Sequence, residues 1–119
     1  MTIYLSGAIS TRTKEEFVEE FTRWASILRG EGFTVISPIE LDEGEYEGNY
    51  RDYLARDLKI LLETDSVVHD PVERLYLLPS WIDSKGGVFL EMFAADVVDM
   101  PIYEAETRKL LSDSDDTPS

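Results

Sequence analysis

The sequence contains no cysteine and a single histidine, His69. The first absence excludes a disulfide framework, a thiolate metal site and a cysteine nucleophile. The second excludes a histidine-based metal cluster. Basic charge is scarce too: 11 Lys plus Arg stand against 25 Asp plus Glu, for a formal charge of -14. A protein that grips nucleic acid or an anionic membrane needs a basic face, and this chain has little to build one from. No apolar run approaches the roughly 20 residues of a membrane span. Met1–Ser10 has neither the basic start nor the small-residue cleavage site of a signal peptide. Lysine is the rarer cation, with four against seven arginines. That pattern fits an ordinary acidic protein kept soluble by its charge, or a surface adapted to high salt. The expectation is a soluble cytoplasmic protein, in the second case one from a high-salt cytoplasm.

What remains is the balance of a globular chain, 119 residues at 43% hydrophobic and 30% charged, enough for one domain and hardly two. Thr2–Ser6 is a short β-rich run ending at Gly7 and reads as a buried first strand. Thr13 and Glu16 form a capping box, after which Phe17, Phe21, Trp24, Ala25 and Leu28 share one helical face. Gly30 and Gly32 stop that helix, and Phe33–Ile36 is a second strand closed by Ser37-Pro38. Glu40–Gly48 is acidic and glycine-bearing and reads as a loop. Asn49 then caps a second helix carrying Tyr50, Tyr53, Leu54, Asp57, Leu58, Leu61 and Leu62. Ser66–His69 is expected as a third strand, and Arg74–Leu78 as a further strand or an extension of it. A loop over Pro79–Gly87 leads to a third helix at about Val88–Val98. Met100–Tyr103 reads as a last strand and Glu104–Leu111 as a final helix. The domain spans 1–111, and 112–119 is a low-complexity acidic tail expected to be disordered. Strands alternating with helices at this spacing imply an α/β fold, a parallel sheet of about five strands with helices on both faces.

In such folds ligands bind outside the carboxyl ends of the strands. The first of those ends, S-G-A-I-S-T-R, offers Ser6, Gly7, Ile9, Ser10 and Arg12, where backbone N–H groups and a helix N-terminus suit an anion. A plain strand-to-helix connection has the same composition. Ser84-Lys85-Gly86-Gly87 opens a helix with a hydroxyl, a cation and glycines, without the spacing of a Walker loop. Glu91 follows one turn later, either as chemistry or as ordinary complement to the helix dipole. Asp57 lies among apolar residues, either as an acid of raised pKa or as a partner of Arg56. Trp81 is the best placed aromatic for stacking on a base or gating a pocket.

Taken together, Y-L-S-G-A-I, G-F-T-V-I-S-P, Y-L-A-R-D-L-K-I-L-L-E-T-D-S-V-V, L-P-S-W-I-D-S-K-G-G-V-F-L-E-M-F-A-A and M-P-I-Y resemble the nucleoside 2-deoxyribosyltransferase-like superfamily. The likeness is to a short branch with the patterns S-G-P-I and L-P-G-W-x-x-S-x-G-A-x-x-E, and it covers residues 2 to 103. It implies a flavodoxin-like three-layer sandwich and an enzyme acting at the N-glycosidic bond of a 2'-deoxyribonucleoside or its 5'-monophosphate, by transfer or hydrolysis. By the same resemblance Glu91 is the nucleophile, and Asp57 assists the leaving base or positions the sugar. Ser6, Gly7, Ile9, Ser10, Arg12, Ser84 and Gly86 match the phosphate-holding positions. A homodimer or higher homo-oligomer is also implied. Three departures stand out: Ala8 replaces the pattern's Pro and removes some turn rigidity, His69–Tyr76 is an insertion, and no Asn-bearing C-terminal segment is present. The last of these points toward a nucleotide-directed relative.

The residues agree with such chemistry. Breaking the bond between an anomeric carbon and a base builds oxocarbenium character on the sugar, which one carboxylate traps while a second acid group serves the departing nitrogen. No metal or organic cofactor is needed. With Arg12, Lys85 and two helix N-termini near the strand ends, a weakly positive cleft inside a negative shell is expected. The alternative is a non-catalytic nucleotide-binding or sensing module on the same fold.

Overall fold

Strand β1, Thr2–Ser6, is buried along its whole length and lies near the middle of the sheet. The computed structural model of the chain describes residues 1–9, 11–41 and 50–112. Ser10, most of the expected Glu40–Gly48 loop, the Asn49 cap and the tail beyond Ser112 lie outside the described residues. The elements in order are β1, α1 (Lys14–Gly30), β2 (Thr34–Ile36), α2 (Pro38–Leu41), α3 (Tyr50–Leu62), β3 (Arg74–Leu77), a 3-10 turn at Pro79–Asp83, α4 (Gly87–Val97), β4 (Ile102–Glu104) and β5 (Leu110–Ser112). They form one five-stranded sheet in the order β2-β1-β3-β4-β5, the strand order of flavodoxin-like sheets. β2, β1, β3 and β4 run parallel, while β5 returns antiparallel on the β4 edge. The fold is thus a three-layer α/β sandwich whose sheet is mixed, not purely parallel as expected.

The pleat of β1 assigns the layers. Ile3 and Leu5 face α1, packing with Phe17, Phe21, Ala25 and Leu28 and with Tyr76 and Leu78. Tyr4 faces the other way, into a cluster with Leu61 of α3, Val88 and Ala95 of α4, and Leu75, Leu77 and Ile102. A strand buried on both faces must be apolar at nearly every position, as the runs here are. α1 starts at the expected capping box. It ends with Gly32 at φ +99°, where the Gly32 and Phe33 N–H groups reach back to the Arg29 and Leu28 carbonyls. That is a Schellman closure, and glycine alone takes such a φ without strain.

Two expected elements are corrected. Ser66–His69 is no strand: Val67 and Val68 are 101% and 87% exposed, and the Ser66 hydroxyl accepts from the Val68 and His69 N–H groups in a local turn. The slot beside β1 is filled by Arg74–Leu77, whose residues have a partner layer on each face. His69 sits in this connection at the amino end of β3, its Nε2 3.3 Å from the Glu63 carboxylate, away from the strand ends that hold the candidate residues. Glu104–Leu111 is no helix either. Thr107 donates to the Glu104 carboxylate and accepts from the Lys109 N–H, Arg108 takes φ +63°, and the chain folds back as β5. Between the buried Ala105 and the terminal Leu110 and Leu111 the segment is polar, so it has no stripe to hold a helix on the sheet.

α4 has two opposite characters. Val88, Glu91 and Ala95 point inward, while Phe89, Leu90, Phe93 and Val97 on the other side are between 47% and 65% exposed. Among the described residues no helix is long and apolar enough to cross a membrane.

Substitution tests the corrected strand. Leu75→Ala is expected to destabilise by about 2–5 kcal/mol, whereas Val67→Ser and Val68→Ser should each stay within about 0.5 kcal/mol of the parent. Urea unfolding midpoints of the three variants measure the difference.

Candidate functional site

Residues that alternate along a strand share a face, so Tyr4 and Ser6 look out on the same side of β1, toward α4. The Ser6 hydroxyl donates to Oε1 of Glu91 at 2.5 Å, joining the carboxyl end of β1 to the first turns of α4. Both side chains are buried, Glu91 at 6% exposure. Burial pushes the Glu91 carboxyl up to about 8. The Ser6 hydrogen bond opposes that rise, the negative charge of Asp57 adds to it, and the Tyr4 phenol opposes it. The Tyr4 hydroxyl is sealed from water and completes no hydrogen bond of full geometry. Burial first, then the nearby charges of Glu91 and Asp57, hold its proton well above the ordinary tyrosine range.

Asp57 belongs to this group and to Arg56 as well. It is buried on α3, and Arg56 Nη2 and Nε donate to its Oδ1 at 2.7 and 3.0 Å. Asp57 is therefore ion-paired as one expectation had it, and it also stands close enough to Glu91 for its charge to be felt there. Carboxyls from two helices thus lie within electrostatic reach of each other and of Tyr4 on β1, and the Glu91 carboxyl is held mostly protonated at pH 7.

Around this pair the loops pack closely. A Cβ on Gly7 would lie 3.2 Å from both Leu78 Cβ and Ser80 Oγ, so the first turn lies against the residues after β3 at a distance where a Cβ would require its neighbours to shift by a few tenths of an ångström. Ala8 is fully buried, and its N–H donates to Ser80 Oγ at 3.1 Å. A proline at position 8 has no such N–H. The turn rigidity expected to be lost with proline is thus replaced by a hydrogen bond, and its acceptor Ser80 stands where the L-P-G-W pattern has glycine. Ser80 in turn donates to Glu20 Oε1 at 2.6 Å, and Arg12 Nη2 reaches the same oxygen at 3.0 Å. Arg12 Nε donates to the Ala8 carbonyl at 3.1 Å. Ile9 is half-buried against the α1 side of the core, its carbonyl accepting from the Arg12 N–H.

The other expected residues frame the site. Ser84 caps α4, its hydroxyl accepting from the Gly86 and Val88 N–H groups at 3.3 and 3.2 Å. Gly86 takes φ +144°, which favours glycine, and Lys85 beside it is exposed. Trp81 packs edge-on against Phe89 of α4, with ring centroids 6.2 Å apart. The start of α1 is closed by its own box: Glu16 Oε1 accepts from the Thr13 N–H, and Thr13 Oγ1 from the Glu16 N–H. Arg12 is paired with Glu20 and Arg56 with Asp57, so of the cations expected to make the site positive only the exposed Lys85 has no such pairing among the described residues. Among the described residues no three His, Asp or Glu side chains gather as a metal-binding group.

A family model described as a domain of unknown function, DUF4406, matches residues 1–104. The chain is a DUF4406 protein. The DUF4406 match runs from β1 to the end of β4 and contains every site residue named above, leaving β5 and the C-terminal residues outside. No curated protein and no solved structure matches the chain. Three members of the site escape a reading by residue type. Glu20 is signalled only as a carboxylate inside the apolar stripe of α1, Ser80 only as a departure from the pattern's glycine, and Tyr4 only by its alternation with Ser6.

Glu91 keeps its proton in the folded protein up to about pH 8, while in the unfolded chain it ionises above about 4.3. Folding takes up a proton between those values, so this group's contribution is best below about pH 4.3 and is lost as pH rises to about 8. Glu91→Gln, which keeps an acceptor for Ser6, is therefore expected to stabilise the protein by about 1–3 kcal/mol at pH 8.5. The gain should shrink steadily toward pH 5. Thermal midpoints across that range read it directly.

Proposed function

We propose that this DUF4406 protein acts in the cytoplasm at the N-glycosidic bond of a 2'-deoxyribonucleoside or its 5'-monophosphate, by transfer or hydrolysis, with Glu91 as nucleophile. The observation that carries the reading is a buried Glu91 hydrogen-bonded to Ser6 at the end of β1, with the Asp57 carboxyl within electrostatic reach. In this scheme the Glu91 carboxylate forms a bond to the anomeric carbon as the carbon–nitrogen bond to the base breaks. Asp57 assists the departing base or positions the sugar. Water or a second base then attacks the trapped sugar and frees Glu91. A carboxylate drawn from an apolar setting is a stronger nucleophile than one in water, because no hydration shell has to be removed.

At pH 7 only about a tenth of Glu91 is ionised if its pKa is about 8. A nucleophilic role therefore requires kcat/KM to climb with pH and level off above about 8, whereas a general acid would give a falling limb. Chromatography of deoxyribonucleoside and deoxyribonucleotide incubations is expected to show free base. That release should fall at least about a thousandfold in Glu91→Ala and stay unchanged in Glu63→Ala. Tight binding with no base released in any incubation sinks the proposal. The neutral Glu91 and the paired Asp57 of the unliganded protein would then favour a nucleotide-binding module.

The exposed α4 stripe supports a second copy of this chain as the partner. Phe89, Leu90, Phe93 and Val97 form an uncharged strip on a protein of formal charge -14, where self-association meets the least repulsion. Phe93→Glu is expected to turn a dimer into a monomer in sedimentation velocity. A wild-type protein that sediments as a monomer up to about 100 μM removes this part of the reading.

A further inference from the structure

Glu20 is 6% exposed, on the face of α1 that packs on the sheet, and the reaction scheme gives it no task. A buried carboxylate is retained at a cost unless its partners hold it in place. Here the partners are Ser80 and Arg12, both on Oε1, at 2.6 and 3.0 Å. Arg12 is the cation that the first turn offers to a ligand, and its side chain is only 18% exposed. Its Nε is held by the Ala8 carbonyl and its Nη2 by Glu20, with the Glu16 carbonyl 3.4 Å away. A phosphate that takes the Nε and Nη2 edge of Arg12 draws it from Glu20, leaving a buried carboxylate with Ser80 as its one donor among the described residues, and a phosphate at Nη1 meets a guanidinium whose charge Glu20 already pairs. The phosphate would also approach Glu15 and Glu16 in the first turn of α1, where the N–H groups of Thr13 and Glu16 are already satisfied within the capping box. A sugar hydroxyl carries no charge and meets neither penalty.

From this geometry, and resting on the N-glycosidic reading above, we infer that Glu20 is a specificity-determining residue that keeps Arg12 from ligands and fits the site to a neutral nucleoside over its 5'-monophosphate. The inference runs against the nucleotide-directed expectation drawn from the missing Asn-bearing segment. It follows that the charge state of position 20, two turns into α1, governs a choice made at the end of β1.

The test compares wild-type protein, Glu20→Gln, Arg12→Gln and the double variant at fixed ionic strength. Glutamine at position 20 keeps an acceptor for Ser80 while releasing the Arg12 charge. Inorganic phosphate is expected to leave the wild-type thermal midpoint unmoved, to raise that of Glu20→Gln, and to lose that effect in the double variant. In calorimetric titrations the affinity for a deoxyribonucleoside 5'-monophosphate, relative to its parent nucleoside, should rise about tenfold in Glu20→Gln, the worth of one charge-assisted hydrogen bond. A merely structural Glu20 would lower the midpoint of the variant without creating an Arg12-dependent response to phosphate. A wild-type response to phosphate that Arg12→Gln abolishes overturns the inference, and so does an unaltered preference in Glu20→Gln. Should Glu20→Gln not fold, wild type against Arg12→Gln decides alone: no phosphate response in either upholds it. If neither nucleoside nor monophosphate binds any variant, the N-glycosidic reading fails, while the phosphate response still decides the role of Glu20.

Discussion

β1 is walled by helices on both faces, and most of what the molecule does with its side chains follows from that confinement. Five residues have nowhere to turn except toward α1 or toward α3 and α4. Odd positions therefore serve the first layer and even ones the second. Tyr4 and Ser6 are even, so the phenol and the hydroxyl open onto α4, where Glu91 sits. Gly7 ends the strand by letting the chain pass within contact distance of Leu78 and Ser80, which brings the turn after β1 onto the turn after β3. The site is thus the place where two parallel strands stop side by side, roofed by the helix that follows one of them.

How far this was legible in the sequence varies by element, for physical reasons. α1 was readable to its ends because local chemistry decides both: a capping box at Thr13 and Glu16, and a left-handed glycine at Gly32. Val67 and Val68 misled because β-branched residues favour a strand only where a neighbouring strand and a covering layer exist, and Arg74–Leu77 takes that place. The return of β5 was hidden because its turn depends on Thr107 and Arg108 side-chain contacts that have no period. Among the candidate residues, Glu91, Asp57, Ser6, Gly7, Arg12, Ser84 and Gly86 stand out by type, by position and by the superfamily resemblance. The company they keep was not: Arg12 looked like a cation awaiting an anion, and only the folded chain shows Glu20 beside it.

Electrostatics at the strand ends are local and close to balanced, in contrast with the strong negative charge of the whole chain. Glu20 faces Arg12, Asp57 faces Arg56, and Glu91 holds its proton. In a low-dielectric site one added or removed proton acts strongly on its neighbours, because their interaction is little screened. This links the buried acid to the turn after β1: each places a charge-bearing group where its neighbours lie within a few ångströms.

The Ala8–Ser80–Glu20 chain of hydrogen bonds also constrains how such a sequence can drift. Proline at position 8 would remove the donor that Ser80 accepts from. Glycine at position 80 would strand both the Ala8 N–H and one side of the Glu20 carboxylate. An apolar residue at position 20 would leave the Arg12 guanidinium half-enclosed without its counter-ion. Each of these changes removes at least one hydrogen bond or ion pair of the chain. The three positions form a single hydrogen-bonded unit whose members lie up to 72 residues apart in sequence, so the turn after β1, the turn after β3 and α1 are tied by side chains as well as by packing.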